Sequence, residues 1–146
     1  MKHRILIALL VSVFGFQLAT AQESYTKDVS KLPATARDFV AKHFTPESVS
    51  YILIDKEIVS TEYEVVLTNG QEIKFNKDGE WKEMEGKKKA LPHTALPEVV
   101  QTYMKANFPE TSVEQIEKEY WGYDIELLNN LEVKLDKKGN LLKIEH

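Results

Sequence analysis

The chain of 146 residues holds 19 Lys and Arg against 23 Asp and Glu, a net charge of −4, and no cysteine. The acidic balance argues against nucleic acid and anionic membrane surfaces as partners, because phosphate neutralisation needs clustered positive charge. The missing cysteine excludes disulfides, thiolate metal sites and a lipid anchor attached to cysteine.

Lys2-His3-Arg4 is a short basic head, and Ile5 to Phe16 is an almost unbroken apolar core. Leu18-Ala19-Thr20-Ala21-Gln22 then supplies the small residues that signal peptidase accepts. Residues 1–21 read as a secretory signal peptide cleaved after Ala21. The apolar core is short for a span of ~20 residues, so no stable membrane anchor is expected after cleavage. The remaining 125 residues carry 17 basic and 23 acidic side chains, a net charge of −6. They suit one soluble periplasmic or secreted domain.

Gln22 to Lys31 is polar and without period, and reads as a flexible leader over 22–31. Leu32-Pro33 opens a helix, with Pro where its missing N–H costs nothing. Leu32, Ala36, Phe39, Val40 and Phe44 form its apolar stripe, and Thr45-Pro46 stops it. Val49 to Ile54 is a strongly β-favouring run. Tyr63-Val65-Leu67, the turn Asn69-Gly70, Ile73-Phe75 and a second turn closing on Gly79 make a meander of period-two strands. Glu80 to Glu85 is its last strand.

After a linker over 86–95 the design returns. Leu96-Pro97 opens a helix with Val99, Val100, Tyr103, Met104 and Phe108, ended by Pro109. Val113 to Lys118 is a less apolar strand, expected near an edge or bulged. Tyr123 to Leu141 then repeats Tyr63 to Trp81 at a constant spacing of 60 residues. Matched punctuation of this kind marks an internal repeat, with copies at 32–85 and 96–145 inside one domain, 32–146. The expected fold is α+β: two helices packed on one face of a curved, eight-stranded antiparallel sheet. The expected core includes Phe39, Val40, Phe44, Val65, Phe75, Val100, Met104, Phe108, Ile125, Leu135, Leu142 and Ile144.

The search for chemistry returns little. His43, His93 and His146 have no metal-ligand or catalytic spacing, and His43 is expected at a helix end that favours a partly positive ring. Asn76-Lys77-Asp78-Gly79-Glu80 has oxygens at alternating positions, as calcium loops do. Lys138 stands where the second copy would need Asp78, so a hairpin turn is the preferred reading. The carboxylates Glu62, Glu64, Glu83, Glu85, Asp124 and Glu126 lie near Lys74 and Lys134 and read as cross-strand ion pairs. No nucleophile elbow or phosphate-cradling glycine loop is present, and no cofactor or metal is implied.

Aromatics give the one positive hint. Strict alternation from Met84 points Trp81 away from the core, on one face with Glu83 and Glu85. Tyr120, Trp121 and Tyr51 are expected on or around that exposed sheet face, where aromatics serve as recognition anchors. The alternative is that Trp81 covers a sheet edge or packs on the linker.

The doubled helix-plus-four-strand unit, the Leu-Pro helix starts and the turns Asn76-Lys77-Asp78-Gly79-Glu80-Trp81 and Asp136-Lys137-Lys138-Gly139-Asn140-Leu141 resemble a known family. They are similar to the periplasmic PepSY-like, β-lactamase-inhibitor-like proteins of Gram-negative bacteria, over Leu32 to Glu145. The resemblance implies the β-lactamase-inhibitor-protein fold, with two helices on one side of the sheet. It supplies no catalytic motif, and the link of PepSY domains to propeptides and peptidase inhibition implies protein binding. The expected function is thus a non-catalytic binding module for an envelope or extracellular protein, which could include inhibition of an envelope enzyme. Two alternatives stand beside it: a small-ligand or glycan binder on the same face, and an enzyme using carboxylates such as Glu64 and Asp124.

Overall fold

The structure is a computed structural model that describes residues 21–44 and 49–146. The signal-peptide reading of residues 1–20 and the Thr45-Pro46 stop lie outside the described residues.

Among the described residues nine strands form one antiparallel sheet in chain order: β1 (Gln22–Thr26), β2 (Val49–Lys56), β3 (Thr61–Leu67), β4 (Glu72–Phe75), β5 (Trp81–Glu85), β6 (Val113–Lys118), β7 (Gly122–Leu127), β8 (Glu132–Asp136) and β9 (Leu141–Glu145). Helix α1 (Ala34–His43) lies between β1 and β2 in the chain, and α2 (Glu98–Asn107) between β5 and β6. Both helices start directly after a proline, Pro33 and Pro97, whose preset φ leads the backbone into the first turn. Helices of this length are marginal in water on their own. Their stability comes from burying Ala36 and Val40 of α1, and Val100 and Met104 of α2.

The sheet offers one apolar face to receive them. Ile52, Val65, Ile73, Phe75, Met84, Ile116, Ile125, Val133 and Leu135 are fully buried, and they belong to one cluster with the helix residues and Phe44. Phe39 of α1 meets the ring of Phe75 edge-on, with centroids 6.0 Å apart. The turn between β4 and β5 slides under the start of α1. Gly79 there has φ +82°, and an added Cβ would lie 2.8 Å from Pro33 Cβ and 2.9 Å from the Ala36 nitrogen.

Three expectations change, and a fourth is met in one of its two forms. Gln22–Thr26 is not a flexible leader but strand β1, paired with β2 from Gln22↔Lys56 to Thr26↔Ile52, so the sheet has nine strands rather than eight. An edge strand is held by backbone hydrogen bonds and needs no apolar period of its own, which is why composition concealed it. The β6 strand is bulged between Val113 and Gln115, the second of the two expected forms, and lies inside the sheet between β5 and β7. Leu142 and Ile144, placed in the core by alternation, are 56% and 43% exposed. A bulge leaves Leu142 without a partner and puts Leu141 opposite Leu135, and Ile144 lies on the last strand, which has a neighbour on one side only. Phe108 is half-buried at the margin of the core.

Phe75→Ala is expected to cost about 3–5 kcal/mol in urea denaturation, through lost burial and the cavity left behind. Leu142→Ala should change stability by less than about 1 kcal/mol. Gly79→Ala should also destabilise more than Gly70→Ala. Both glycines have positive φ, but an added Cβ at Gly70 meets nothing within 4 Å. Equal losses at the two turns would mean that the helix does not rest on Gly79.

Candidate functional site

Period-two alternation sends the residues between core positions to the other face of the sheet, which no helix covers among the described residues. At the β1–β3 end this open face is aromatic. Tyr25 and Tyr51 stand 5.9 Å apart between ring centroids and are 66% and 37% exposed. Tyr51 lies opposite Val66, and Tyr25 opposite Leu53, so the tyrosines sit on an apolar floor.

From β3 to β8 the same face is acidic. Register places carboxylate against carboxylate at Glu72↔Glu85, Glu83↔Glu117, Glu117↔Asp124 and Glu126↔Glu132. Directly opposed like charges destabilise a sheet, and lysines are threaded between them. Lys74 Nζ reaches Glu83 at 2.7 Å, Lys87 bridges Glu85 and Glu72 at 2.8 and 3.1 Å, and Lys134 bridges Glu132 and Asp124 at 2.7 and 2.9 Å. The compensation is incomplete. Burial and then the neighbouring Glu72 push the Glu64 carboxyl up, while burial and then Glu83, Glu119 and Asp124 do the same to Glu117. A shallow cleft of about 320 Å³ opens here between Gln115, Glu117, Asp124, Glu126 and Glu132.

The residues expected to form one site fall in different places. Tyr51 and Glu83 are on the open face, at its aromatic end and in its acidic band. Tyr120, 86% exposed, and the half-buried Trp121 occupy the tight turn between β6 and β7, closed by hydrogen bonds between Glu119 and Gly122. Trp81 is on the opposite side. The β4–β5 pairing runs Ile73↔Met84, Lys74↔Glu83 and then Phe75↔Trp81, so a bulge takes up one residue and reverses the alternation assumed from Met84. Trp81 therefore joins Phe75 on the helix side, packed against the core, with Lys118 Nζ 4.2 Å from its ring centroid. Tyr25 is the open-face aromatic that sequence reasoning missed. Its signal was the β-favouring Ser24-Tyr25-Thr26, hidden in a segment read as leader.

The loop considered for calcium is a hairpin turn. The Asn76 side-chain oxygen accepts hydrogen bonds from the backbone N–H of Asp78 and Glu80, each at 3.0 Å, and Lys77 pairs with Asp78. Among the described residues no three His, Asp or Glu side chains converge as a cation ligand set. His43 sits in the last turn of α1 as expected, but burial and then Lys42 push its pKa down, so the ring is neutral at pH 7 rather than partly positive.

A family model described as beta-lactamase-inhibitor-like, PepSY-like matches residues 61–143. The chain belongs to this family. Three crystal structures share its fold. A periplasmic protein of Bacteroides vulgatus is 40% identical with a TM-score of 0.77, and the match covers 86% of this chain and 100% of that one. A periplasmic protein of Bacteroides thetaiotaomicron, described as calcium-regulated, is 31% identical with a TM-score of 0.78, covering 85% and 97%. A second periplasmic protein of B. vulgatus is 29% identical with a TM-score of 0.78, over the same shares. No curated protein matches the chain. Among the described residues no helix is long and apolar enough to cross a membrane.

The raised pKa of Glu64 makes a test of the face's electrostatics. In the fold its carboxyl holds a proton to higher pH than in the unfolded chain, so stability falls as pH rises through that range. Glu64→Gln is expected to raise the melting temperature at pH 7. The gain should vanish as pH falls below the Glu64 titration, where the wild type is protonated too. Circular dichroism melts between pH 3 and 8 read this, and a gain that persists at pH 3 would trace it to something other than charge.

Proposed function

We propose that the protein is a non-catalytic binding module, exported to the periplasm or beyond, whose open sheet face recognises another protein. The observation that carries this reading is the exposed Tyr25–Tyr51 pair on an apolar floor, at the end of an acidic face that no helix covers among the described residues. Tyrosines on a rigid strand bury large area at low entropic cost, which is the usual make-up of an interface anchor. Export is supported by the basic, apolar and small-residue order of the N-terminus and by the periplasmic descriptions of the three relatives. The two helix-plus-meander halves are read as tandem copies that share one core and so leave one face free for contact.

The non-catalytic part of the reading rests on the carboxylates. Most are paired with lysines or opposed to one another. The two that burial pushes up, Glu64 and Glu117, stand on the open sheet face rather than in an enclosed pocket where acid–base chemistry is usually placed. Inhibition of an envelope enzyme is the specific form that the family description supports. The calcium-regulated relative makes Ca²⁺ a variable worth controlling.

Affinity capture from periplasmic extract, with CaCl₂ in one arm and EDTA in the other, tests the proposal. A Tyr25→Ala/Tyr51→Ala variant is expected to lose a protein that the wild type and a Leu142→Ala control both retain. Equal recovery of every protein by all three baits would remove the open face from consideration.

A further inference from the structure

The helix side of the sheet builds one kind of cleft twice. Each lies where a helix rests over a glycine turn, α1 over Gly79 and α2 over Gly139. The two are of similar volume, about 370 and 350 Å³. In the α2 cleft the helix contributes Glu98, Val99, Thr102, Tyr103, Ala106 and Asn107, and the turn contributes Lys138 and Gly139. At the helical positions from Val99 on, 64 residues earlier, α1 contributes Thr35, Asp38, Phe39, Lys42 and His43. The strand residue that follows the turn is Trp81 in one case and Leu141 in the other, each opposite a buried core residue, Phe75 or Leu135. The α2 cleft carries one charge of each sign, Glu98 and Lys138, and closes without an indole or an imidazole. The presence of both rings in the α1 cleft calls for another reason.

Their chemistry suggests one. Trp81 offers a half-buried aromatic wall. Around it stand two carboxylates, Asp38 and Glu80, and two ammonium groups, Lys42 and Lys118. His43 Nδ1 lies 3.2 Å from Thr94 Oγ1, and its Nε2 has no partner among the described residues. A pocket for a small ion would be dominated by one sign of charge, and a pocket for a hydrocarbon would exclude charge altogether. An apolar plane rimmed by donors and acceptors in near balance suits a ring with a C–H face and hydroxyls at its edge. We propose that the α1 cleft is a carbohydrate site, with Trp81 as the platform for a sugar ring and Asp38, Lys42, His43 and Glu80 bonding its hydroxyls. Lys118 lies over the Trp81 ring at 4.2 Å and occupies the place of that sugar until it is displaced. The site is on the opposite side of the sheet from the tyrosine pair and does not depend on the protein-binding reading.

Tryptophan fluorescence tests it, because Trp121→Phe leaves Trp81 as the one tryptophan of the chain. The Trp121→Phe protein is titrated with maltotriose, cellotriose and chitotriose. At least one should change the Trp81 emission saturably. Asp38→Asn/Lys42→Ala should weaken that response roughly tenfold. Lys118→Ala should tighten it by roughly 2- to 5-fold, the worth of one exposed cation–π contact. Thr102→Ala in the α2 cleft should leave it unchanged, as should Tyr25→Ala/Tyr51→Ala. Circular dichroism melts separate lost binding from lost fold. The proposal is overturned if none of the three sugars gives a saturable response in either the Trp121→Phe protein or its Lys118→Ala derivative. It is equally overturned if the response ignores Asp38 and Lys42 in a folded variant.

Discussion

A sheet with one apolar face cannot remain uncovered in water, and that constraint organises the molecule. Nine strands turn Val65, Ile73, Phe75, Ile125, Val133 and Leu135 to one side. Two ten-residue helices, each too short to persist alone, cover them with Ala36, Val40, Val100 and Met104. Sheet and helices depend on each other, and neither layer would be expected to hold its shape without the other. Close approach of the layers in turn requires a turn without a side chain beneath α1, where Gly79 comes within 2.8 Å of Pro33 if a Cβ is added.

The open face follows from the same division. Freed from burial, it carries residues that would be costly in a core, and the antiparallel register sets several carboxylates directly opposite one another. Lys74, Lys87 and Lys134 hold them together as bridges. Ion pairs of this exposure contribute little to stability. Their effect is to keep a charged surface in a defined geometry beside the tyrosine pair.

The β4–β5 bulge alters the character of both sides. One extra residue in β5 moves Trp81 from the charged face to the helix face, where it lies opposite Phe75 with Lys118 over its ring. A pairing shift of the same kind occurs between Lys134 and Leu135 in the β8–β9 ladder, and there it places Leu141 against Leu135. The open face loses its expected tryptophan and keeps tyrosines. The cleft beside α1 gains an indole that its counterpart beside α2 lacks.

Much of this was legible in the residues alone. The apolar stripes from Leu32 and Leu96, the prolines that start both helices, the turn glycines and the period-two runs of β3, β4, β7 and β8 are local signals, each written within a few neighbouring residues. Local signals were enough to establish the α+β class, the two helices and most of the core. Tertiary structure decided three other matters. It recruited Gln22–Thr26 as an edge strand, whose backbone bonds leave no mark in composition. It left Leu142 exposed through the β8–β9 bulge, and Ile144 because β9 has a neighbour on one side only. It also assigned Trp81 to the helix side, because a bulge is a property of two paired strands, and no single strand's alternation reveals where the pairing skips a residue.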